Sequence, residues 1–356
     1  MDLPFVVLDT EFIRTDTFYP IAALIQVYAQ EKVYLIDPLR IAQWKPLQLL
    51  LTASRIVKVF HACSEDIEVL YRLTGSACEP IFDTQIAASY INLGFSVGYS
   101  SLVRNMLGVE LTKNESRSDW INRPLSASQQ QYAIDDVLYL ASVYLKIKAL
   151  LSTEKHVWLL EDTSAINYKL ITYNHVDNAY LSIKQAWRLT QQELFMLKKL
   201  CSWREITAAQ QDEPRNRILR ENTLIDLALK QPTSLSDLVN INDLYPKKIR
   251  QFGIQIIRII IQALEVTSES WPALIASPLD KKEQGITKKI RQRAKLIADQ
   301  LELAPEIILK RKMLEDIVRT GRLGGCYSIP DNIKGWRKEL VGKKLVEYLN
   351  TFKSEG

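Results

Sequence analysis

The apolar run Phe5-Val6-Val7-Leu8 leads directly into Asp9-Thr10-Glu11, and this junction constrains the fold more than any other feature of the chain. Four consecutive apolar residues describe a strand buried on both faces, the central position of a sheet covered by helices. Period-two geometry then puts Asp9 and Glu11 on one face and Thr10 on the other. In α/β proteins the carboxyl end of such a strand opens on the crevice where ligands bind. Two carboxylates emerging there are costly unless something cationic shares the site.

Two further segments add to this. His61-Ala62-Cys63-Ser64-Glu65-Asp66 runs from an expected strand, residues 55–60, into a helix for which Ser64 is the expected N-cap. Tyr132 and Asp136 in Tyr132-Ala133-Ile134-Asp135-Asp136 are spaced i, i+4, so phenol and carboxylate share a helix face. Asp135 points about 100° away around the helix. A cluster of carboxylates without matching bases suits hard cations such as Mg²⁺ or Mn²⁺. Two such ions held roughly 3.5–4 Å apart form a phosphodiester-cleaving device.

Strands are expected at residues 5–8, 24–28 and 32–36, and helices at 47–51, 83–90 and 100–107, the last ended by Gly108. Ser126-Ala127-Ser128-Gln129 is a capping box that opens a helix running to about Leu150. This is an α/β domain with a central sheet. From Ser152 the strand signals stop. Two helical bundles are expected, residues 189–266 and 286–349, separated by a Ser- and Pro-containing stretch with Gly285 at its end.

Charge is unevenly placed. Residues 1–150 carry 13 Lys/Arg and 16 Asp/Glu, whereas residues 281–312 carry ten basic and four acidic. Chemistry in the first region and polyanion attraction in the second fit this division. Four cysteines match neither a zinc pattern nor a disulfide framework, which fits a reduced, cytoplasmic setting. There is no basic stretch before an apolar core at the N-terminus, and residues 254–264 are too short and too polar for a membrane span.

The three acidic segments resemble the exonuclease motifs of the DEDD superfamily in its tyrosine-bearing branch, and most closely the ribonuclease D family. Asp9-Thr10-Glu11-Phe12-Ile13-Arg14 with Tyr19-Pro20 and Leu24-Ile25-Gln26 is similar to the first motif. Phe60-His61-Ala62-Cys63-Ser64-Glu65-Asp66 is similar to the second, and Phe82-Asp83-Thr84-Gln85 to the helix after it. Ser118-Asp119-Trp120, Arg123-Pro124-Leu125 and Tyr132 to Leu140 resemble the stretch through the third. Leu200-Cys201-Ser202-Trp203-Arg204-Glu205 and Pro214-Arg215-Asn216-Arg217 look like an HRDC module, and Gly335-Trp336-Arg337 resembles a second, divergent one. The first motif begins at residue 9, where family members usually carry a strand-and-helix segment before it. Cys63 stands where the family often has glycine.

The resemblance implies an α/β ribonuclease H-like exonuclease domain with a central mixed sheet, residues 1–151, followed by all-α HRDC-type bundles. Residues 152–188 would connect to a first HRDC domain at 189–268, with a linker at 269–285 and a second HRDC-like domain at 286–352. It implies a metal-dependent 3′→5′ exoribonuclease that trims structured RNA, above all tRNA precursors with 3′ extensions, and releases nucleoside 5′-monophosphates. Asp9, Glu11, Asp66 and Asp136 would hold two divalent ions, Mg²⁺ or Mn²⁺, and Tyr132 would orient water. His61, Lys113, Trp120 and Arg123 are candidates for the RNA path. Lys288, Lys289, Arg291 and Arg293 are candidates for phosphate tracking. Trp203 and Trp336 read as bundle core. A monomer without an obligate protein partner and without membrane contact is expected. The motifs leave two alternatives open, a DNA 3′→5′ exonuclease and a non-catalytic nucleic-acid-binding protein.

Overall fold

The computed structural model describes residues 4–111, 115–172 and 175–353. Two compact units are present. One combines residues 1–13, 22–170 and 279–356, and the other combines residues 14–21 and 171–278.

The first unit is built on a five-stranded mixed sheet of order β3-β2-β1-β4-β5. Its strands are β1 (Phe5–Ile13), β2 (Ile21–Ala29), β3 (Lys32–Ile36), β4 (Val57–Phe60) and β5 (Ile81–Asp83). β1 is central, as its apolar run requires, and pairs in parallel with β4, which pairs in parallel with β5. Helices α1 (Lys45–Thr52), α2 (Ser64–Thr74), α3 (Thr84–Tyr90), α4 (Tyr99–Leu107), α5 (Ala127–Leu150) and α6 (Thr153–Thr172) complete this part. Alternate residues of β1 feed different cores: Val7 belongs to one apolar cluster with α5, while Val6 and Leu8 belong to another with α1 and α2. The Ser126 capping box is formed, with both of its hydrogen bonds present. Gly108 ends α4 at φ +72°, a conformation that a side chain would resist.

Several expectations change. Ser64 does not cap α2: it is the first helical residue, and Cys63 before it makes no side-chain cap. Residues 81–83 form a short strand where none was expected, and Asp83 is the cap of α3 rather than its first turn. Lys58, in a stretch that alternates basic and apolar residues, is fully buried. Its ammonium donates to the carbonyls of Ala53 (2.9 Å) and Glu79, and burial lowers its pKa to about 8.

The second unit is helical, with α7 (His175–Asn178), α8 (Gln191–Gln211), α9 (Arg215–Ile218), α10 (Glu221–Lys230) and α11 (Pro246–Leu264) around one apolar core. Glu205, 3% exposed, accepts from Arg204 at 3.1 Å and Arg215 at 2.5 Å, so its buried charge is neutralised. Residues 14–21 join this unit: Asp212 Oδ1 accepts the backbone N–H of Phe18 and of Tyr19, each at 3.0 Å. Trp203 is half-buried against Phe252 with ring centroids 5.4 Å apart.

The remaining helices, α12 (Lys281–Leu301), α13 (Pro305–Ile308), α14 (Arg311–Thr320), α15 (Gly335–Arg337) and α16 (Lys343–Lys353), belong to the first unit. α12 begins five residues before the expected bundle boundary, because Asp280 and Glu283 form a capping box that outweighs Gly285. These helices share the apolar cluster that contains Val7, Phe82, Tyr90 and Tyr144. Trp336 stacks on Trp158 of α6 with centroids 4.8 Å apart. Arg337 donates to both Asp162 oxygens and to the carbonyl of Ile307, and Tyr90 Oη donates to Asp162 at 2.8 Å. Ala304 N–H donates to the Ser89 carbonyl at 2.9 Å.

This bundle is therefore core material for the sheet-bearing unit. We predict that a chain cut before Leu279 loses cooperative unfolding in the sheet-bearing part. Arg337→Met, which leaves the Asp162 carboxylate without its partner, should cost about 3 kcal/mol. Urea melts followed by circular dichroism test both. A truncated chain that melts as sharply as the full one would show that the bundle is dispensable.

Candidate metal centre

β1 and α5 supply the centre. Asp9 and Glu11 project from the same face of β1, and Asp136 comes from the third turn of α5. An oxygen from each of the three lies within 4.8 Å of the others. Tyr132, one turn before Asp136, sits against it, and the phenol's hydrogen bond offsets part of the rise in the Asp136 pKa. Asp66, in the first turn of α2 and 6% exposed, is held from the other face of β1: its Oδ1 accepts from Thr10 N at 3.1 Å and Thr10 Oγ1 at 2.6 Å. Asp66 is outside the tight trio yet close enough to act electrostatically on Asp9, Glu11 and Asp136.

Burial, followed by repulsion from the neighbouring carboxylates, drives these groups toward the protonated form. It holds Asp9 well above the usual carboxylate range and pushes Glu11 up to about 8. Burial raises Asp136 to about 7, with Asp135 the next cause. Asp66 rises less, to about 6, because the Thr10 hydrogen bonds favour its charged form. Burial also raises the Tyr132 phenol, so it stays a hydrogen-bond donor. Four acids with no lysine or arginine among the groups acting on them form a hard-oxygen donor set that fits divalent cations such as Mg²⁺ or Mn²⁺.

A pocket of about 380 Å³ opens on the trio, lined by Asp9, His61, Tyr99, Ser116, Tyr132 and Asp136 among others. Asp83, outside that lining, organises the turn that follows His61. This carboxylate, 2% exposed, accepts the N–H groups of Ala62 (3.1 Å), Cys63 (2.9 Å), Gln85 (2.8 Å) and Ile86 (3.2 Å). It thus ties the start of α3 to the turn that launches α2, where Ala62 adopts φ +59°. His61 Nδ1 is 3.0 Å from Thr84 Oγ1, and its ring lies 5.6 Å from that of Tyr99. Tyr99 Oη donates to the Asp135 carbonyl at 2.6 Å, bracing the turn of α5 that carries Asp136.

The remaining sequence candidates separate. Lys113 lies outside the described residues. Trp120 is 2% exposed and packs in a small core with Ala23, Leu24 and Ala133, its ring 5.9 Å from that of Tyr132, so it offers no open face for a base. Arg123 is a loop clasp: its guanidinium bonds both Asp37 oxygens at 2.9 Å and the carbonyls of Ala23 (2.6 Å) and Trp120 (2.8 Å). These two residues stiffen the wall behind Tyr132 and do not present themselves to RNA. Lys288, Lys289, Arg291 and Arg293 are exposed on α12, where Arg293 lies 5.5 Å over the Tyr348 ring. Asp135 lines the pocket as well, with one oxygen accepting from Gln131 at 2.9 Å. Thr10 and Tyr99 escaped sequence reasoning, because their roles are set by partners 56 and 36 residues away.

Comparison with known proteins places this geometry. A family model described as a 3′–5′ exonuclease matches residues 2–152, and an HRDC domain model matches residues 193–260. Ribonuclease D of Pseudomonas paraeruginosa is 44% identical over 348 residues, covering 98% of this chain and 93% of that protein. Ribonuclease D of Escherichia coli is 33% identical, covering 98% and 94%. The crystal structure of Escherichia coli RNase D, described as an exoribonuclease involved in structured RNA processing, superposes with a TM-score of 0.86 at 31% identity over 98% of this chain and 94% of that one.

The raised acids give a signed pH prediction for the metal-free protein. Ordinary values are 3.8 for Asp and 4.5 for Glu, whereas Asp66, Asp136 and Glu11 sit at about 6, 7 and 8. Between these limits the folded state binds more protons than the unfolded state, so stability falls as pH rises from about 4.5 to about 8. Mg²⁺ or Mn²⁺ should abolish that fall, and Asp136→Asn should reduce it without metal. Melting temperatures across the pH range, with chelator and with metal, measure this. A metal-free profile that is flat or rises through the window would count against the cluster as described.

Proposed function

Because the chain belongs to the ribonuclease D family and is a hydrolytic 3′→5′ exoribonuclease, we propose that it trims the 3′ extensions of structured RNAs, tRNA precursors above all, and releases nucleoside 5′-monophosphates. The convergence of Asp9, Glu11 and Asp136 beside Tyr132 carries this reading.

The proposed mechanism assigns Asp9, Glu11 and Asp136 to one divalent cation, and Asp9 with Asp66 to a second. Such ions, when bound, supply the Lewis acidity that favours ionisation of the attacking water and neutralises the departing 3′-oxygen. The Tyr132 hydroxyl orients that water in line with the scissile phosphate. Thr10 keeps the Asp66 carboxylate turned toward the site, and Tyr99 fixes the α5 backbone at Asp135. The water oxygen bonds to phosphorus as the P–O3′ bond breaks, so the phosphate stays on the 5′-oxygen of the released nucleotide and the departing 3′-oxygen takes up a proton to leave a 3′-hydroxyl on the shortened RNA. His61 is placed on the pocket wall, where the terminal nucleotide would lie.

The alternatives that the motifs leave open find no support. The relatives matched over nearly the whole chain are ribonucleases, and all four acids and the tyrosine are present. A cytoplasmic monomer remains our reading. Among the described residues no helix is long and apolar enough to cross a membrane, and Cys63, Cys78 and Cys201 are buried free thiols.

A timed digest of a tRNA precursor with a 3′ tail, with and without chelator, tests the proposal. Stepwise shortening with 5′-monophosphate products is expected, and it should stop when metal is removed. Asp9→Asn or Asp136→Asn should abolish turnover with the fold intact. Tyr132→Phe loses only the positioned hydroxyl and should slow the reaction by about 10²–10⁴-fold. Nucleoside 3′-monophosphate products, or full rate for either acid variant, would overturn the mechanism.

A further inference from the structure

One wall of the pocket at the metal centre takes no part in moving water or phosphate. Asp135 lines it, beside Asp9 and Asp136. Helical geometry alone turns this residue about 100° away from its neighbour Asp136. The structure nevertheless fixes it on the pocket from two directions. Its carbonyl accepts from Tyr99 Oη at 2.6 Å, and one carboxylate oxygen accepts from Gln131 Nε2 at 2.9 Å. Gln131 stands one turn earlier on α5, the spacing at which such pairs meet. The second carboxylate oxygen accepts from no other side chain among the described residues. After burial, the charge of Asp135 is the largest influence on Asp136, which shows how near the two groups are.

The rest of the lining selects which part of a nucleotide belongs there. The pocket of about 380 Å³ carries three carboxylates and neither lysine nor arginine, while Leu111, Leu140 and the Tyr99 ring supply apolar surface. That is a setting for a nucleoside, with the scissile phosphate left to the cations. Phosphate oxygens and a carboxylate are both acceptors, so Asp135 repels a phosphate and needs a donor. A terminal nucleoside has donors of two kinds. Base N–H groups differ among the four bases, and an enzyme that trims through mixed sequence cannot depend on them. Ribose hydroxyls are constant. The 3′-hydroxyl is common to RNA and DNA ends, whereas the 2′-hydroxyl belongs to RNA alone. An O–H···O⁻ bond is among the short, strong ones, and an acidic side chain on a ribose 2′-hydroxyl is how dinucleotide sites read that group.

We propose that Asp135 determines sugar specificity: its second carboxylate oxygen accepts the 2′-hydroxyl of the terminal ribose, and Gln131 is the positioning residue that keeps it aimed. The proposal rests on the exoribonuclease reading and deepens it, because it names the contact by which this site tells RNA from DNA.

RNA oligonucleotides of one sequence that differ only in the last sugar test it: ribose, 2′-deoxyribose, 2′-fluoro-2′-deoxyribose and 3′-deoxyribose. Release of the last nucleotide is timed with Mg²⁺ at single turnover for the full-length wild type, Asp135→Ala and Gln131→Ala. The wild type should favour the ribose end over the 2′-deoxy end by about tenfold or more, the scale of a hydrogen bond to a charged group. Fluorine fills the place of the hydroxyl but cannot donate, so the 2′-fluoro end should be as poor as the 2′-deoxy end. Asp135→Ala should compress both preferences to within about twofold, and Gln131→Ala should fall between. The ratio is the readout because removing a negative charge beside Asp136 alters all four substrates alike. Calorimetric binding of adenosine 5′-monophosphate against its 2′-deoxy form, with Mg²⁺, should show the same loss of preference. An Asp135→Ala protein that melts as the wild type does and keeps its ribose preference would overturn the proposal, and so would a wild type without that preference. Compression of the preference over the 3′-deoxy end alone would assign the carboxylate to the other hydroxyl and overturn it too. A wild type that releases nothing from the ribose end would instead defeat the exoribonuclease reading, so the two failures are distinguishable.

Discussion

Mutual repulsion among buried carboxylates is the constraint around which the first unit is organised. Asp9, Glu11, Asp66 and Asp136 come from a strand and two helices; burial makes all four harder to ionise, and the charges of Asp66 and Asp136 add to this at Asp9 and Glu11. A site of this kind would splay if its supports were soft. The supports are stiff: β1 is the middle strand of the sheet, Thr10 grips Asp66 from behind, and Tyr99 braces the backbone beside Asp136. Asp83 acts at one remove. By gathering four N–H groups it fixes the left-handed turn from which α2 departs, and with it the direction of Asp66. The geometry is thus prepared before any cation arrives, which is what preorganised electrostatic catalysis requires.

What could be read from the sequence was what local chemistry determines. The apolar run before Asp9 identified a central strand, and the Ser126 capping box located the start of α5. The i, i+4 spacing put Tyr132 beside Asp136. What escaped was set by distant partners. β5 is only three residues long, and its last residue doubles as a helix cap, so no strand periodicity could develop. The buried Lys58 looks like any surface lysine until two carbonyls from other segments receive it. Trp120 and Arg123 have the right chemistry to meet RNA, but the loop folds back so that they serve Ala23, Asp37 and each other. At the α12 boundary Gly285 suggested a linker, while the Asp280–Glu283 box decided the matter.

The two helical regions look alike in sequence and differ in structural role. The helices α8 to α11 enclose a core of their own, with the Arg204–Glu205 pair buried and Arg215 reaching Glu205 from the surface. The helices α12 to α16 have no such independence. Their apolar residues join the cluster that backs the sheet, and Arg337, Trp336 and Ala304 are bonded or stacked onto α3 and α6. A division of the chain into a catalytic sheet domain and separate helical bundles is therefore too simple, since α12 to α16 complete the core of the sheet-bearing unit.

That shared core has a consequence for how the protein is made. The sheet-bearing unit is discontinuous along the chain, with residues 171–278 lying between its two main portions. A ribosome releases the strands and every carboxylate of the centre long before it releases Trp336 and Arg337. At elongation speeds of about 5–20 residues per second that gap is on the order of ten seconds. Throughout it, Tyr90 and Trp158 lack the partners that cover them. The nascent sheet-bearing unit therefore waits, incompletely packed, until its last helices are released.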